Sequence, residues 1–328
     1  MQDIDKEIAE RYNLDVENIA PFKDAFLINT SSGKKLLRKS TLSPERILFI
    51  HGAKEHLYQN DFKNLDRYIC TVDGEPYISC EGSCFTLINA IEGRECNFDN
   101  RGDVISASKL LSLMHKASRG YVTPHDSIPR DELGKLPFYF SKRLDEIKKI
   151  KKIAKKGRSR FDYLFLEYFD YYYNLGESTI QAFPETKYQN LVEAARKEGI
   201  FCHHDFTHHN IICGEEGTSI VNFDFCSFEL KIYDIANLLR RKMRKCNWDI
   251  NEAKIIIDKY RSIEPISDDE FIVMKLILTF PQKLWRVINK YYNSKHNWSE
   301  KIFVAKLQEV IDEIEYHKKF IEKFELLV

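Results

Sequence analysis

The stretch that decides the fold is GIFCHHDFTHHNIICGEEGTSIVNFDFCSFELKIYDIANLLRR, Gly199 to Arg241. It sets four histidines, three asparagines and three aspartates among short apolar runs. Two chemistries compete for it. HDFTH, His204 to His208, has the four-residue histidine spacing of the zinc motif H-E-x-x-H, with aspartate in place of glutamate. That motif works on a helix, where residues four apart share a face. Here IFC precedes it and IIC follows within a few residues, which leaves too little room for a regular helix. The other chemistry is phosphoryl transfer. His203, Asp205 and Asn210 form an H-x-D-x-x-x-x-N run between two strand-like segments, and the strand-like SIVNFDF then delivers Asp224. Such a loop can hold a carboxylate against an attacking hydroxyl and, a turn later, an amide oxygen toward a metal. The second carboxylate completes an oxygen ligand set of the kind Mg²⁺ prefers.

Outward from that stretch, the chain changes character near residue 90. DAFLINTSSGKKLLRKS reads as strand, turn, strand: Phe26 to Thr30, Ser31-Ser32-Gly33, then Lys35 to Lys39. Ser43 is a good helix N-cap and Pro44 suits the first helical position. Ile47, Leu48, Ile50 and Leu57 supply the apolar stripe of that helix. RYICTVDGEPYISCEGSCFTLINAIEG gives further strands, with Asp73-Gly74 as a hairpin turn. Past Gly93 helical periodicity dominates. DVISASKLLSLMHKAS puts Val104, Ala107, Leu110, Leu111 and Met114 on one side. In SKRLDEIKKIKKIAKKGRSR, Leu144, Ile147, Ile150 and Ile153 recur every three residues, so one side can pack while the lysines project elsewhere. The aromatics of YLFLEYFDYYYNL read as core and helix-packing residues, and Pro281 is expected to break or kink the helical run from Asp268 to Tyr292.

HHDFTHHN followed by VNFDF resembles the catalytic and metal-binding segments of the aminoglycoside phosphotransferase/choline kinase group, which has a protein-kinase-like fold. SPERILFIHGAKEHL, NAIEGRECNFDN, LMHKASRGY, FCHHDFTHHNII, NFDFCSFELKIYDIANLLRR and LTFPQKLWRVINKYY narrow the resemblance to the CotS-type spore coat proteins of spore-forming Firmicutes. The similarity runs from about residue 20 to the C-terminus. It implies a bilobal α+β fold, with a small β-rich nucleotide-binding lobe over 1–90 and a larger, mainly helical catalytic and acceptor lobe over 91–328. Carried across, Asp205 matches the catalytic aspartate and His203 the histidine that supports its loop. Asn210 and Asp224 match the Mg²⁺ ligands. Asp234 matches an aspartate that braces the loop, though it reads equally as a helix N-cap. The backbone at Asn89, Ala90 and Ile91 is the expected hinge to adenine.

The sequence also departs from that pattern. On KKLLRKS the position expected to hold the ATP-binding lysine falls on Arg38, with Lys39 one residue later. A one-residue slip along a strand turns a side chain to the other face. Its helix partner is Glu45 or Glu55. No glycine-rich phosphate loop stands in APFKDAFLINT, and His204 occupies a position where relatives often have glycine. The resemblance therefore implies an ATP- and Mg²⁺-dependent phosphotransferase acting on a hydroxyl of a small molecule or spore envelope component. The rival is a structural spore coat protein that keeps the fold with little or no catalysis.

Composition bounds the remainder. Acidic and basic residues balance at 50 each, which argues against a general nucleic-acid binder. The first fifteen residues hold no apolar core of signal-peptide length, and no apolar run approaches a membrane span, so cytoplasmic synthesis is expected; the resemblance to CotS-type proteins implies later assembly into the spore coat. The eight cysteines show no C-x-x-C pair and read as reduced, mostly buried thiols. Between Lys142 and Arg160 the charge is heavily positive. That face is either simply solvated or attracts an anionic acceptor or other spore coat proteins.

Overall fold

A computed structural model describes residues 8–80, 82–293 and 299–328. The charged N-terminal reading includes residues 1–7, and the strand reading over 67–93 includes Glu81; these positions lie outside the described residues. The chain divides into two compact units, residues 1–131 with 197–234, and residues 132–196 with 235–328.

The first unit is built on a five-stranded antiparallel sheet. Its strands are β1 (Val16–Phe22), β2 (Ala25–Thr30), β3 (Gly33–Ser40), β4 (Ile78–Cys80) and β5 (Ser83–Asn89), in the order β1-β2-β3-β5-β4. The expected strand-turn-strand is the β2–β3 hairpin, in register from Thr30 opposite Gly33 to Ala25 opposite Arg38. Strand periodicity puts Leu37 fully in the core with Ile28, Ile78 and Leu87, and turns Arg38 to the other face. The Asp73-Gly74 turn forms, with Gly74 N donating to Thr71 O at 2.9 Å, but it closes no hairpin. The run before it meets β5 through a bridge of Tyr68 to Ile88, while β4 pairs with β5.

Helix α1 (Pro44–Gln59) begins where expected, its Ser43 cap accepting from Arg46 N. Its buried face is Ile47, Phe49, Ile50, Ala53, Lys54 and Leu57. Leu48 is half-buried, one residue and about 100° round the helix from Ile47. Past β6 (Arg94–Glu95), α2 (Arg101–Ser118) buries all five of its expected apolar residues.

The second unit is helical: α3 (Leu136–Ala154), α4 (Arg160–Ala182), most of α5 (Tyr188–Glu198) and of α6 (Ile232–Met243), α7 (Ile250–Arg261), α8 (Asp268–Thr279), α9 (Gln282–Asn293), α10 (Glu300–Asp312) and α11 (Ile314–Glu322). Leu144, Ile147, Ile150 and Ala154 of α3 pack with Phe165 and Phe169 of α4, Leu284 of α9 and Leu307 of α10. Ile153 is 54% exposed, contrary to the three-residue reading. Steps of three fall about 60° short of a turn each time, so the fourth member rotates out and Ala154 takes its place. Pro281 separates α8 from α9 as expected.

Two small sheets complete the first unit and carry its loops. β7 (Phe201–Cys202) pairs with β10 (Ser227–Phe228), and β8 (Ile211–Gly214) lies between β6 and β9 (Gly217–Ile220). Gly93, at φ +149, lets β6 lie against β8: a Cβ there would stand 2.6 Å from Cys213 O.

Candidate active site

The segment from 203 to 210 is a loop between β7 and β8, ending in a single 3-10 turn at His208–Asn210, so HDFTH lies on no regular helix. Its conformation follows from two buried groups. His203 is fully buried; its Nε2 donates to Val221 O at 3.1 Å and its Nδ1 accepts from Asp205 N at 3.3 Å. Burial holds its pKa below the ordinary histidine value, so the ring stays neutral, which this donor-acceptor pattern requires. Asp234, also fully buried, accepts from His203 N at 2.8 Å and His204 N at 3.0 Å, and pairs with His115 Nε2 at 3.3 Å. Burial alone would raise its carboxyl, but the His115 hydrogen bond and the neighbouring histidines outweigh that and lower it. Asp234 lies inside the first turn of α6 and spends its carboxylate on the loop, so it braces the loop instead of capping the helix.

His204 takes the left-handed conformation, φ +67, which explains why glycine suits this position. Its ring stacks on Tyr233 at 4.4 Å. With the chain turned there, Asp205 faces Asn210: Asn210 Nδ2 donates to the Asp205 carboxylate and to its carbonyl, both at 2.9 Å.

Asp224 does not sit on the strand that precedes it. β9 ends at Ile220, Asn222 turns the chain through φ +65, and Asp224 follows on a 3-10 turn, Phe223–Phe225. Asn222 is the connector that the sequence reading missed. Its Nδ2 donates to Asn210 Oδ1 at 3.2 Å and its Oδ1 accepts from Arg38 Nη1 at 2.8 Å. Arg38 Nη2 stands 3.3 Å from Asp224 Oδ2. Asp205, Asn210, Asn222, Arg38 and Asp224 thus form one continuous polar chain.

Arg38 finds no glutamate on α1. Glu55 binds Arg67 in a fork at 2.9 and 2.5 Å, and Glu45 is exposed and bonded to Ser43. The carboxylates beside Arg38 are Asp224 and, at 3.8 Å, Asp24. Three further residues fix the Asp224 segment. Asp66 Oδ2 accepts from Asn222 N at 2.9 Å, and its Oδ1 is paired with the buried Lys54 at 3.0 Å. Arg46, in the first turn of α1, donates to Asp224 O at 3.1 Å and to Cys226 O. A signal for Lys54 was present: it is the charged member of the stripe 47, 50, 54, 57. Asp66 and Arg46 gave none, because their roles depend on chain brought close from far along the sequence.

At the expected hinge, Asn89 Oδ1 accepts from Lys35 Nζ at 2.7 Å, and Ala90 N is already given to Lys34 O at 3.0 Å. Ala90 and Ile91 line a cavity of about 980 Å³ with Glu92, Gly93 and Cys213. Arg38, Asn222 and Asp224 line another, of about 320 Å³.

The histidines do not gather at one point: His203 and His204 are placed as above, while the His208 and His209 rings lie 3.8 Å apart and His209 Nδ1 meets Glu95 at 2.5 Å. Among the described residues, the two ligand triads with metal-like spacing are Cys96–Asp103–Cys213 and His115–Cys202–Asp234, and neither includes any of these four. Asp103 is engaged by a fork from Arg94 at 2.5 and 2.8 Å. Among the described residues the eight cysteines form no disulfide, three of them being buried and five half-buried.

The family model described as "Spore coat putative kinase YutH" matches residues 5–324. The chain belongs to that family. Spore coat protein S of Bacillus subtilis is 25% identical over 299 residues, covering 90% of this chain and 85% of that protein. The endospore coat-associated protein YutH of the same organism is 22% identical, covering 90% and 86%. An aminoglycoside phosphotransferase from Alicyclobacillus acidocaldarius superposes with a TM-score of 0.85 at 20% identity, over 98% of this chain and 95% of that one. Amicoumacin kinase in complex with AMP-PNP, Ca²⁺ and Ami gives 0.61 at 13% identity, over 100% and 97%. This YutH-family chain therefore has the bilobal protein-kinase-like α+β fold. Among its described residues, no helix is long and apolar enough to cross a membrane.

Proposed function

We propose that this chain is an ATP- and Mg²⁺-dependent phosphotransferase acting on a hydroxyl of a small molecule or spore envelope component, and that it works in the spore coat. The observation that carries this reading is the polar chain from Asp205 through Asn210, Asn222 and Arg38 to Asp224. It links an acceptor-activating carboxylate to two oxygen ligands through groups that fix their spacing. Asn210 Oδ1 and the Asp224 carboxylate are hard oxygen donors, the set that suits Mg²⁺, so the residues present fit that ion. A bound Mg²⁺ would neutralise charge on the transferring phosphoryl group.

The remaining roles belong to the chain. Asp205 orients the acceptor hydroxyl and takes its proton, and Asn210 Nδ2 holds that carboxylate in place. His203 and Asp234 fix the loop. Arg38 holds phosphate oxygens, and the backbone of Asn89 to Ile91, with the Ala90 N–H already used, meets the adenine. In this reading residues 1–90 bind the nucleotide and 91–328 supply catalysis and the acceptor site. Relatives named as spore coat proteins support the location, and a neighbour solved with AMP-PNP supports the nucleotide.

One observation favours the structural rival: the Arg38 guanidinium lies on Asp224 and Asn222, where a metal would need access. A melting curve with MgATP separates the two readings. A ligand bound only to the native state, at about a hundred times its Kd, adds about 2.7 kcal/mol and raises Tm. A metabolite screen with γ-labelled ATP would then identify the acceptor. An unshifted Tm at millimolar MgATP favours the structural reading.

A further inference from the structure

Lys54 is 1% exposed, on the face of α1 where an apolar residue would ordinarily pack. Its Nζ is 3.0 Å from Asp66 Oδ1, 3.9 Å from the centroid of the Tyr68 ring and 5.5 Å from that of Phe223. Burying an ammonium costs several kcal/mol unless its partners compensate, so a packing role alone would be filled better by methionine or leucine. Asp66 is the carboxylate paired with it among the described residues, and an ammonium has three donors. Lys54 also lines the cavity of about 320 Å³ with Arg38, Ser40, Thr41 and Asp224. That cavity therefore has the Lys54 ammonium from the helix, Arg38 and Lys39 from β3 and the proposed metal carboxylate on its walls, and of the two lysines Lys54 is the buried one.

We propose that Lys54 contacts the phosphate chain of the nucleotide, bringing an ammonium from α1 to the cavity that Arg38 of β3 also lines. This rests on the phosphotransferase reading above. Lysine acts on phosphate as a point charge and arginine as a planar fork, so the two cations complement each other. Lys54 would bridge Asp66 and a phosphate oxygen. Asp66 also accepts from Asn222 N, and Asn222 connects to Asn210 and Arg38, so phosphate occupancy would tighten the same polar chain.

The test compares MgATP, magnesium tripolyphosphate and adenosine by titration calorimetry on the wild type and on Lys54→Met. The variant is expected to bind MgATP and tripolyphosphate about tenfold or more weakly and adenosine equally well. Removing the lysine leaves Asp66 buried without its partner, so a second measurement uses the unaltered protein. An acyl phosphate of ATP is offered as a label: the lysine Nζ attacks the acyl carbonyl, an amide forms and ATP leaves. Peptide mapping is expected to find the acyl group on Lys54, and excess MgATP is expected to suppress it. Two results overturn the proposal while leaving the phosphotransferase reading intact: MgATP binds the wild type but the acyl phosphate labels only other lysines such as Lys39, or a folded Lys54→Met binds MgATP as tightly as the wild type. Absence of MgATP binding to the wild type overturns both.

Discussion

Asp234→Ala is expected to be among the most destabilising single substitutions in the first unit. The wild-type carboxylate is fully buried and is the acceptor for the His203 and His204 N–H groups, besides pairing with His115. Each buried donor that loses its acceptor costs about 1–3 kcal/mol, and bonds to a charged acceptor lie toward the upper end. Breaking the buried pair with His115 adds to this, so the total should be about 3–5 kcal/mol, a large fraction of ordinary domain stability. Urea unfolding measures it: the midpoint should fall while the slope m is unchanged. A pH series adds a signed test. The folded pKa of Asp234 is below its ordinary value, so its contribution is complete above the unfolded pKa and disappears as pH falls through the folded one. Asp234→Asn should lack that acid-side loss. A cost below about 1 kcal/mol in the alanine variant would refute the brace, because two buried donors cannot lose a charged acceptor so cheaply.

Burial, with the Arg240 charge and against a hydrogen bond to Leu278 O, lowers the pKa of His317 to about 4. The unfolded chain takes up that proton near pH 6.5, so stability should decline from about pH 6.5 to pH 4, by about 3 kcal/mol from this group, and His317→Gln should flatten the decline in a pH series of urea melts. Ile150→Ala should cost about 2–5 kcal/mol by urea unfolding. Ile153→Lys, on the exposed side of the same helix, should stay within about 0.5 kcal/mol. His204→Gly relieves a left-handed backbone but loses the stack on Tyr233; these offset, so a thermal melt should show a change within about 1 kcal/mol.

Most of the fold was legible because its signals are local. The β2–β3 hairpin followed from alternation and a Gly33 turn, and α1 from Ser43 and Pro44. The α8–α9 break followed from Pro281. The errors also have local causes. Ile153 was assigned by a spacing of three where the helix repeats every 3.6 residues. Asp224 was placed on a strand that Asn222 ends by turning left-handed, a conformation asparagine tolerates and an apolar-alternation reading overlooks. In the candidate site, Asp205, Asn210 and Asp224 could be put forward from spacing, but the contacts that join them could not. Arg38 reaches Asn222 across 184 positions and Asp66 reaches it across 156. Contacts of that span depend on the folded path of the chain, which no local pattern encodes. The partner sought for Arg38 illustrates this: both glutamates proposed for it are engaged elsewhere, and α1 contributes a lysine to the cavity instead.

The central claim is tested most directly by titrating ATP into the wild type and into Asp224→Ala, each with and without Mg²⁺, by isothermal calorimetry. The account predicts saturable binding to the wild type that strengthens with Mg²⁺, and loss of that Mg²⁺ dependence in Asp224→Ala. No saturable heat in the wild type at millimolar ATP, or equal affinity in all four titrations, would contradict it.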